Sequence, residues 1–416
     1  MSADSIFKDY LKRRNTLIKD RQILQSTYVP DQLLHRDSQI DEIVDIIAPS
    51  LNKDKPSNIL IIGKTGTGKT AVVNYIGNEL MKADMENNNC CYIYVNCEVI
   101  DTPYSILYNI SNQIITDPNN KIPFTGWSLD KIYNELIKFI DEEDKIFIVV
   151  LDEIDRSFKK NGDDIFYFLT TINEMLKKSR VSIIGITNNS KFTEECLSTK
   201  ARSRFGDEKI IFPPYTPSQL IDILNYRVKE AFYPDKLEPS VVNYCAAISA
   251  QDSGDARKAL DLLRIAADIA ERNKDDCVRE AHVDSARQKI EMDAVTEIIK
   301  TLTAQSKIVL KSIIDNPKND EGYVTTGDVY NTYMKITKAL DYPILTQRRV
   351  ADLISELDML GIINARVKSF GRKGRTKEIM INISPSIINI LNSDDLFHNL
   401  SYSRPGNQMT FDSAFN

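Results

Sequence analysis

Short apolar runs alternate with amphipathic stretches along the first half of the chain. From residue 28 onward, five apolar runs bounded by turn residues predict β-strands, and the stretches between them have the three- and four-residue apolar spacing of helices. The predicted strands are residues 58–62, 92–96, 146–151, 181–187 and 209–212. The predicted helices are residues 69–82, 104–116, 129–141 and 165–178. Strands separated by helices indicate a mainly parallel sheet with helices on both faces.

The second half of the chain has helical periodicity until two strands near its end. A first group of helices follows the predicted sheet and comprises residues 217–231, 240–249, 254–272 and, with looser spacing, 280–293. Three more helices comprise residues 295–314, 326–338 and 346–360, and the two strands comprise residues 362–370 and 375–383. Three helices followed by a hairpin is the order of a winged helix, which is a variant of the helix-turn-helix.

These patterns predict five segments. They are a polar, partly helical N-terminal arm, an α/β core, a helical domain, a winged helix and a flexible tail rich in Ser and Asn. In that order, the segments are residues 1–25, 26–212, 213–293, 294–395 and 396–416.

A glycine-rich loop connects the first predicted strand to the first predicted helix. It fits the pattern G-x-x-x-x-G-K-[ST] in the strand–loop–helix context that this phosphate-binding motif requires. Glycine lets backbone N–H groups turn toward phosphate oxygens, and the positive end of the helix dipole adds to the attraction. Lys69 is expected to reach the β- and γ-phosphates of ATP or ADP, and Thr70 to bind Mg²⁺. The loop consists of Gly63, Lys64, Thr65, Gly66, Thr67, Gly68, Lys69 and Thr70.

Two carboxylates follow the apolar run of the third predicted strand. In open α/β sheets, ligands lie at the carboxyl ends of the strands. Asp152 is expected to hold Mg²⁺ through water, and Glu153 to polarise the water that attacks the γ-phosphate. Asn188, after the next strand, is a candidate to position that water or to contact the γ-phosphate, although asparagine is also a common turn former.

Three arginines are candidates to sense the phosphates. Arg257 begins a helix of the second domain and is expected to point back at the nucleotide, although alone it would be interpreted as a surface arginine. Arg202 and Arg204 precede the last predicted strand of the core. An exposed arginine there is able to reach the ATP of a neighbouring subunit in trans, and the alternative is an ordinary surface charge.

The order of these motifs resembles that of the AAA+ ATPases. More narrowly, roughly residues 5–390 resemble the archaeal initiator family related to origin recognition complex subunit one and cell division control protein six. The stretches that carry the narrower resemblance are residues 28–30 with 34–40, 185–189, 212–215 with 226–227, and 253–257. The resemblance implies an α/β AAA+ P-loop NTPase core, an α-helical lid domain and a C-terminal winged-helix domain.

The resemblance also implies roles for residues that the P-loop pattern does not cover. The first stretch, with Val29 and Arg36, is implied to pack around the adenine, and Tyr215 and Arg227 are implied to contact the nucleotide.

Two further points follow from the resemblance. Initiators of this kind carry an inserted helix that touches DNA where residues 104–116 stand, although few basic residues occur there. Archaeal relatives often have serine at the position of Arg204, which leaves open whether Arg204, Arg202 or neither acts in trans.

Composition limits the classes of function. The chain has 416 residues, of which 42% are hydrophobic and 27% are charged, as in soluble globular proteins. Six cysteines without a C-x-x-C pair and only three histidines argue against a disulfide framework and a zinc site. We expect a cytoplasmic, nucleoid-associated protein without membrane contact, since no apolar run approaches the length of a membrane span. The net charge of −6 repels nucleic acid, so DNA binding requires a local basic patch.

The C-terminal hairpin supplies such a patch. Between residues 362 and 384, six basic residues and one acidic residue give a local charge of +5. The glycine-flanked tip is slim enough for arginine to enter a minor groove, and the first turn of the preceding helix is expected to face the major groove. A solvated basic hairpin without a ligand is the alternative. The candidate DNA contacts are Gln347, Arg348, Arg349, Arg366, Lys368, Arg372, Lys373, Arg375 and Lys377.

Together, these features predict an ATP-dependent protein that binds double-stranded DNA at replication origins and helps to initiate replication. Slow ATP hydrolysis would act as a conformational switch. Paralogous initiator subunits and the replicative helicase are the expected protein partners. One alternative is an origin-binding repressor that loads no helicase. A clamp-loader-like ATPase is a weaker alternative, because such a chain should end in an all-helical collar and not in a basic hairpin.

Overall fold

The computed structural model describes residues 16–115, 117, 121–123, 125–162, 164–195, 202, 208–319, 322–369, 375–381, 385–398 and 400. The chain divides into two compact units, Met1–Ala286 and Arg287–Asn416. Each unit has its own hydrophobic core. Among the described residues, no helix combines the length and the apolar character that a membrane crossing requires.

A five-stranded parallel sheet forms the centre of the first unit, with the strand order β2-β3-β4-β1-β5. The strands are β1 (Ile59–Gly63), β2 (Cys90–Asn96), β3 (Ile146–Asp152), β4 (Arg180–Thr187) and β5 (Glu208–Phe212). Alternate residues along a strand enter different cores: Leu60 and Val149 pack on one face of the sheet, and Ile61 and Val150 on the other. All seven residues of β3 are buried, as expected for a central parallel strand covered on both faces.

Helices cover both faces of this sheet. They are α1 (Asp37–Ile47), α2 (Lys69–Ala83), α3 (Pro103–Ile114), α4 (Leu129–Glu143), α5 (Ile154–Asn161), α6 (Asp164–Thr171) and α7 (Phe192–Glu195). The prediction of a parallel sheet between helices is therefore confirmed. The helix predicted at 165–178 is wrong in its second half, because α6 gives way to a 3-10 turn at Ile172–Glu174. Sequence reasoning also missed α1 and α5.

A second group of helices completes the first unit and forms a separate hydrophobic cluster. It contains α8 (Pro217–Ala231), α9 (Pro239–Asp252), α10 (Ala256–Asn273) and the start of α11 (Glu280–Thr301). The described part of the predicted N-terminal arm packs against these helices. Leu17 and Leu24 are buried in this cluster, and the backbone N–H of Leu17 donates to Glu271 Oε1 at 2.9 Å. Residues 1–15 of the arm lie outside the described residues.

The second unit is a winged helix. Its helices are α12 (Ala304–Asp315), α13 (Thr326–Ala339), α14 (Gln347–Met359) and α15 (Pro385–Asn392), and its strands are β6 (Val324–Thr325), β7 (Ile363–Ser369) and β8 (Arg375–Ile381). The strand order is β6-β8-β7, and all pairs are antiparallel. The short strand β6 was not predicted, since two residues are too few for a periodic signal.

Three predicted boundaries in this region differ from the structure. The helix predicted at 295–314 is two helices, because the Thr303 side chain accepts a hydrogen bond from the Ser306 N–H and caps α12. The predicted boundary at residue 293 falls inside α11. Phe397, which was assigned to the flexible tail, is buried in the core of the winged helix. The few apolar residues of this mainly polar stretch gave no periodic signal for that packing.

Replacing Leu353 by alanine is expected to lower the free energy of unfolding by about 2–5 kcal/mol, because this side chain of α14 is only 4% exposed and its removal leaves a cavity. Met359→Ala on the same helix is the matched control, since Met359 is 82% exposed. Its effect should stay within about 0.5 kcal/mol. Urea unfolding followed by circular dichroism measures both variants, and equal losses would contradict the packing of α14.

Candidate nucleotide and DNA sites

The glycine-rich loop lies between β1 and α2, as its pattern predicted. Gly66 and Gly68 have φ angles of +73° and +87°, a conformation that favours glycine, and Gly68 is the N-cap residue of α2. A Cβ atom on Gly66 would stand 1.6 Å from Oδ1 of Asp255. The loop therefore approaches the second group of helices so closely that a larger residue would not fit.

Lys69 is buried at the carboxyl edge of the sheet. Its Nζ donates to the carbonyl oxygens of Gly63 and Lys64 at 2.8 and 2.9 Å and to Oδ1 of Asn188 at 2.7 Å. Burial lowers the pKa of the Lys69 amine, and the nearby charges of Glu153 and Asp152 act in the opposite direction. The structure thus brings this predicted lysine together with the predicted acids and amide.

The Asp152 carboxylate is held by three donors. Its Oδ2 accepts hydrogen bonds from Thr70 Oγ1 at 2.7 Å and from the Tyr94 hydroxyl at 2.8 Å, and its Oδ1 accepts from the Glu153 N–H at 2.9 Å. Adjacent hydroxyl and carboxylate oxygens are the ligands that Mg²⁺ prefers in nucleotide sites. The residues present therefore fit a magnesium–nucleotide complex.

Sequence reasoning missed Tyr94. Its only signal was its position two residues before the end of β2, next to the strand that ends in Asp152. Burial raises the pKa of the Tyr94 hydroxyl, and so does the Asp152 charge. The hydroxyl is therefore a proton donor at neutral pH.

Glu153 occupies the sharp turn between β3 and α5. Its φ of +54° is a strained conformation for a residue with a side chain, and such strain is common at functional sites. Nδ2 of Asn188 lies 2.7 and 2.6 Å from the two carboxylate oxygens of Glu153. Burial raises the pKa of Glu153, and the hydrogen bond from Asn188 opposes that shift. Asn188 thus links the amine of Lys69 to the Glu153 carboxylate.

The second group of helices contacts the loop at the start of α10. The N–H of Ala256 donates to the Gly66 carbonyl at 3.2 Å, and Asp255 caps α10 by accepting from the N–H groups of Arg257 and Lys258. A cavity of about 390 Å³ lies at this junction, and Arg257 is among the residues that line it. Arg257 therefore lies beside the loop, and its role toward the phosphates stays a prediction.

The family resemblance implied four further residues around the nucleotide. Three of them line this cavity. They are Val29, Tyr215 and Arg227. The guanidinium of Arg227 nevertheless donates to the carbonyl oxygens of Ile23 and Tyr28, at 3.2 and 3.1 Å, and lies over the Tyr28 ring. Arg227 therefore anchors the N-terminal segment against α8.

Arg36 is the fourth of these residues and is only 2% exposed. Its Nε donates to the carbonyl of Thr67 at 2.9 Å, and Nη2 donates to the carbonyl of Pro213 at 2.7 Å. Its guanidinium lies 3.9 Å from the centre of the Tyr215 ring. Arg36 connects the glycine-rich loop to the segment that leaves the sheet.

Of the two arginines that are candidates to act in trans, the structure describes only Arg202. Arg202 is exposed and donates to the carbonyl oxygen of Glu194 at 3.0 Å. Arg204 lies outside the described residues.

The first turn of α14 presents the predicted polar group to solvent. Gln347, Arg348 and Arg349 are all exposed, and Thr346 caps the helix by accepting from the Arg349 N–H. Nη1 of Arg349 is 3.5 Å from a Glu356 carboxylate oxygen, so this guanidinium is partly neutralised. The helix therefore offers one amide and two cations at its N-terminal end.

The hairpin β7–β8 presents fewer free cations than its composition indicates. Arg366 is exposed, whereas Lys368 forms an ion pair with Glu378. The Lys377 amine donates to the Ala351 carbonyl at 3.4 Å and to the Ser355 hydroxyl, so it contacts α14.

The structure describes only part of the hairpin tip. Arg372 and Lys373 lie outside the described residues. Arg375 begins β8, where it pairs with Ser369.

Three family models match the chain in the order of its domains. A model of the AAA domain matches residues 52–191. A model of the Cdc6 AAA+ ATPase-type lid domain matches residues 221–288, and a model of the CDC6 C-terminal winged helix domain matches residues 297–389.

Relatives match over nearly the whole chain. An ORC1-type DNA replication protein of Thermococcus kodakarensis is 47% identical over 393 residues, which are 94% of each chain. The ORC1-type DNA replication protein 1 of Methanosarcina mazei is 46% identical over 385 residues, which are 92% of this chain and 91% of that protein. The Aeropyrum pernix ORC1 protein, solved in complex with DNA, is 41% identical, with 91% of this chain and 97% of that chain covered and a TM-score of 0.75.

Replacing Lys69 by alanine is expected to weaken ADP binding at least tenfold, because a buried ammonium at the loop would no longer face the phosphates. Hydrogen bonds to charged groups contribute about 1.5–3 kcal/mol. Lys55→Ala is the matched control, since Lys55 precedes β1, lies outside the loop and is exposed. Isothermal titration with ADP measures both. Unchanged affinity in the Lys69 variant would show that the phosphates bind elsewhere.

Proposed function

This chain belongs to the family of ORC1-type DNA replication proteins, and from that premise we propose that it recognises replication origins and helps to initiate DNA replication. The observation that carries the proposal is the presence of two sites in one chain: a glycine-rich loop with its acidic strand end, and a winged helix whose α14 exposes Gln347 and Arg348. The Aeropyrum pernix relative was solved in complex with DNA.

The chain binds nucleotide through its AAA+ core, and we propose that ATP and ADP are the ligands. The loop amides and Lys69 would face the phosphates, and the oxygens of Thr70 and Asp152 would hold Mg²⁺. When bound, the cation supplies positive charge against the β- and γ-phosphate oxygens. The cavity beside Val29 and Tyr215 would take the base.

The positions of the side chains at the strand ends support a role in slow hydrolysis. The Glu153 carboxylate would accept a proton from the attacking water, and the Asn188 amide, which already bonds to Glu153, would orient that water. Arg257 is in the first turn of α10 beside the loop, so it would contact the γ-phosphate from the lid and make the lid position depend on the nucleotide state. Hydrolysis would then serve as a switch.

DNA binding would use both base edges and phosphates. The exposed amide of Gln347 and the guanidinium groups of Arg348 and Arg349 have the chemistry that reads base edges in a major groove. Arg366 and the basic tip residues Arg372, Lys373 and Arg375 would contact phosphates or enter the minor groove. Lys368 and Lys377 would first have to leave their partners in the protein.

We also propose protein partners for the DNA-bound chain. Paralogous initiator subunits and the replicative helicase would bind the DNA-bound chain, and Arg202 or Arg204 would reach the nucleotide of a neighbouring subunit.

A repressor that occupies the same sites would use the same residues. A helicase-recruitment assay on origin DNA separates these readings, because only an initiator retains the helicase there.

Glu153→Gln is expected to retain ATP binding and to lose hydrolysis, since an amide accepts no proton from water. In the unaltered chain, turnover should fall as the pH falls through the raised pKa of Glu153, because only the ionised carboxylate acts as a base. Single-turnover phosphate release at several pH values measures both effects. Glu142→Gln, at an exposed position of α4, is the control. Full turnover in the Glu153 variant would assign the base to another group.

The double variant Arg348→Ala and Arg349→Ala is expected to weaken binding to origin duplexes. It should also reduce the slope of log K against log salt by up to about 1.8, if both cations contact phosphates. A control that removes the same charge from exposed positions elsewhere in the unit is Lys300→Ala with Lys318→Ala. Fluorescence anisotropy between 50 and 200 mM salt, roughly the range over which phosphate contacts dominate, compares them. Identical affinity and slope in both variants would exclude α14 as the DNA-contacting helix.

A further inference from the structure

Tyr94 contacts the acidic end of the site from a neighbouring strand. We propose that Tyr94 is a positioning residue: its hydroxyl sets the orientation of the Asp152 carboxylate and thereby the affinity of the nucleotide complex for its divalent cation. This inference rests on the proposed function, since it concerns the cation of the same nucleotide site.

The register of the sheet places the two side chains together. β2 and β3 are parallel neighbours in which Asn96 pairs with Asp152 and Tyr94 pairs with Val150. Paired residues on adjacent strands point to the same face, and so do residues two apart on one strand. Tyr94 and Asp152 therefore share a face, and the long tyrosine side chain spans the diagonal between them, with its hydroxyl 2.8 Å from Oδ2.

The hydroxyl restrains the one oxygen that also meets the loop. Asp152 is 3% exposed, and its Oδ2 accepts from both Tyr94 and Thr70. The terminal torsion of an aspartate is soft, so hydrogen bonds decide where its oxygens point. Without the Tyr94 hydroxyl, only Thr70 would hold Oδ2, and Thr70 is itself the hydroxyl proposed to ligate the cation. The carboxylate would then rotate more freely before the cation binds.

The rest of Tyr94 is held independently of its hydroxyl. Its ring packs against the core that contains Val150, and its carbonyl oxygen accepts from Nε2 of Gln113 at 3.1 Å. Tyr94→Phe therefore removes one hydrogen bond to Asp152 and keeps the packing. Hydrogen-bond partners of metal ligands typically change metal affinity or activity by about 10- to 100-fold when they are removed.

Tyr92 offers a matched control on the same strand and the same face. Its hydroxyl is also part-buried, but it bonds to the carbonyl of Val73 at 3.2 Å and to Oδ1 of Asn74 at 3.3 Å, and not to a carboxylate. Tyr92→Phe thus removes a hydroxyl of the same kind without changing the hydrogen bonds of Asp152.

The test measures equilibrium binding of ADP to the full chain, first in EDTA and then during a Mg²⁺ titration. For Tyr94→Phe, the affinity for ADP in EDTA is expected to match that of the unaltered chain within about twofold. The Mg²⁺ midpoint, which is the Mg²⁺ concentration that gives half of the change in ADP affinity, should rise about 10- to 100-fold. Tyr92→Phe should leave both quantities unchanged. An unshifted Mg²⁺ midpoint in Tyr94→Phe, or an equal shift in Tyr92→Phe, would overturn the proposal.

Two further arms keep the outcomes distinct. If the unaltered chain itself binds no ADP, the proposed nucleotide site fails, whereas normal binding with an unshifted variant refutes only the role of Tyr94. Replacing Tyr94 by 4-aminophenylalanine restores a donor at the same place and should restore the Mg²⁺ midpoint. That variant also tests the role of Tyr94 if Tyr94→Phe proves unstable on heating. If the 4-aminophenylalanine variant does not have the normal Mg²⁺ midpoint, Tyr94 has a purely structural role.

Discussion

The burial of the Lys69 ammonium at the carboxyl edge of the sheet is the constraint on which the site depends. A buried cation is costly unless it is paired and hydrogen-bonded, and here two backbone carbonyls and the Asn188 amide satisfy it. The same amide binds Glu153, whose backbone N–H in turn binds Asp152. Three strands thus deliver one connected polar network, so a phosphate that bonded to Lys69 in place of Asn188 would also affect the partner of Glu153.

This network extends to the helices of the lid through short-range contacts. Gly66 accepts from Ala256 and has no room for a side chain beside Asp255, so loop and lid meet without intervening atoms. Arg36 adds a second connection, because it binds the carbonyl of Thr67 and stacks on Tyr215. A ligand at the loop therefore has direct means of changing how the lid is held, which is the physical basis of the proposed nucleotide switch.

The winged helix distributes its charges differently from what its composition indicates. Intramolecular partners occupy Lys368 and Lys377, whereas Gln347, Arg348 and Arg366 are exposed. The helix N-terminus is consequently a larger part of the candidate DNA surface, and the described part of the hairpin a smaller one. Reading of base edges needs polar groups at defined positions on a helix, whereas cations that contact phosphates contribute mainly salt-dependent attraction.

The amino-acid sequence alone determined the alternation of five strands with helices in the core, the glycine-rich loop and the acidic strand end, because these depend on periodicity and on residues close together in the chain. Only the tertiary structure decided which side chains meet across strands. Tyr94 donates a hydrogen bond to Asp152, and Arg227 donates one to the carbonyl oxygen of Tyr28. Each bond joins residues that are distant in sequence. Strand register and helix packing create such contacts, and neither leaves a local pattern along the chain.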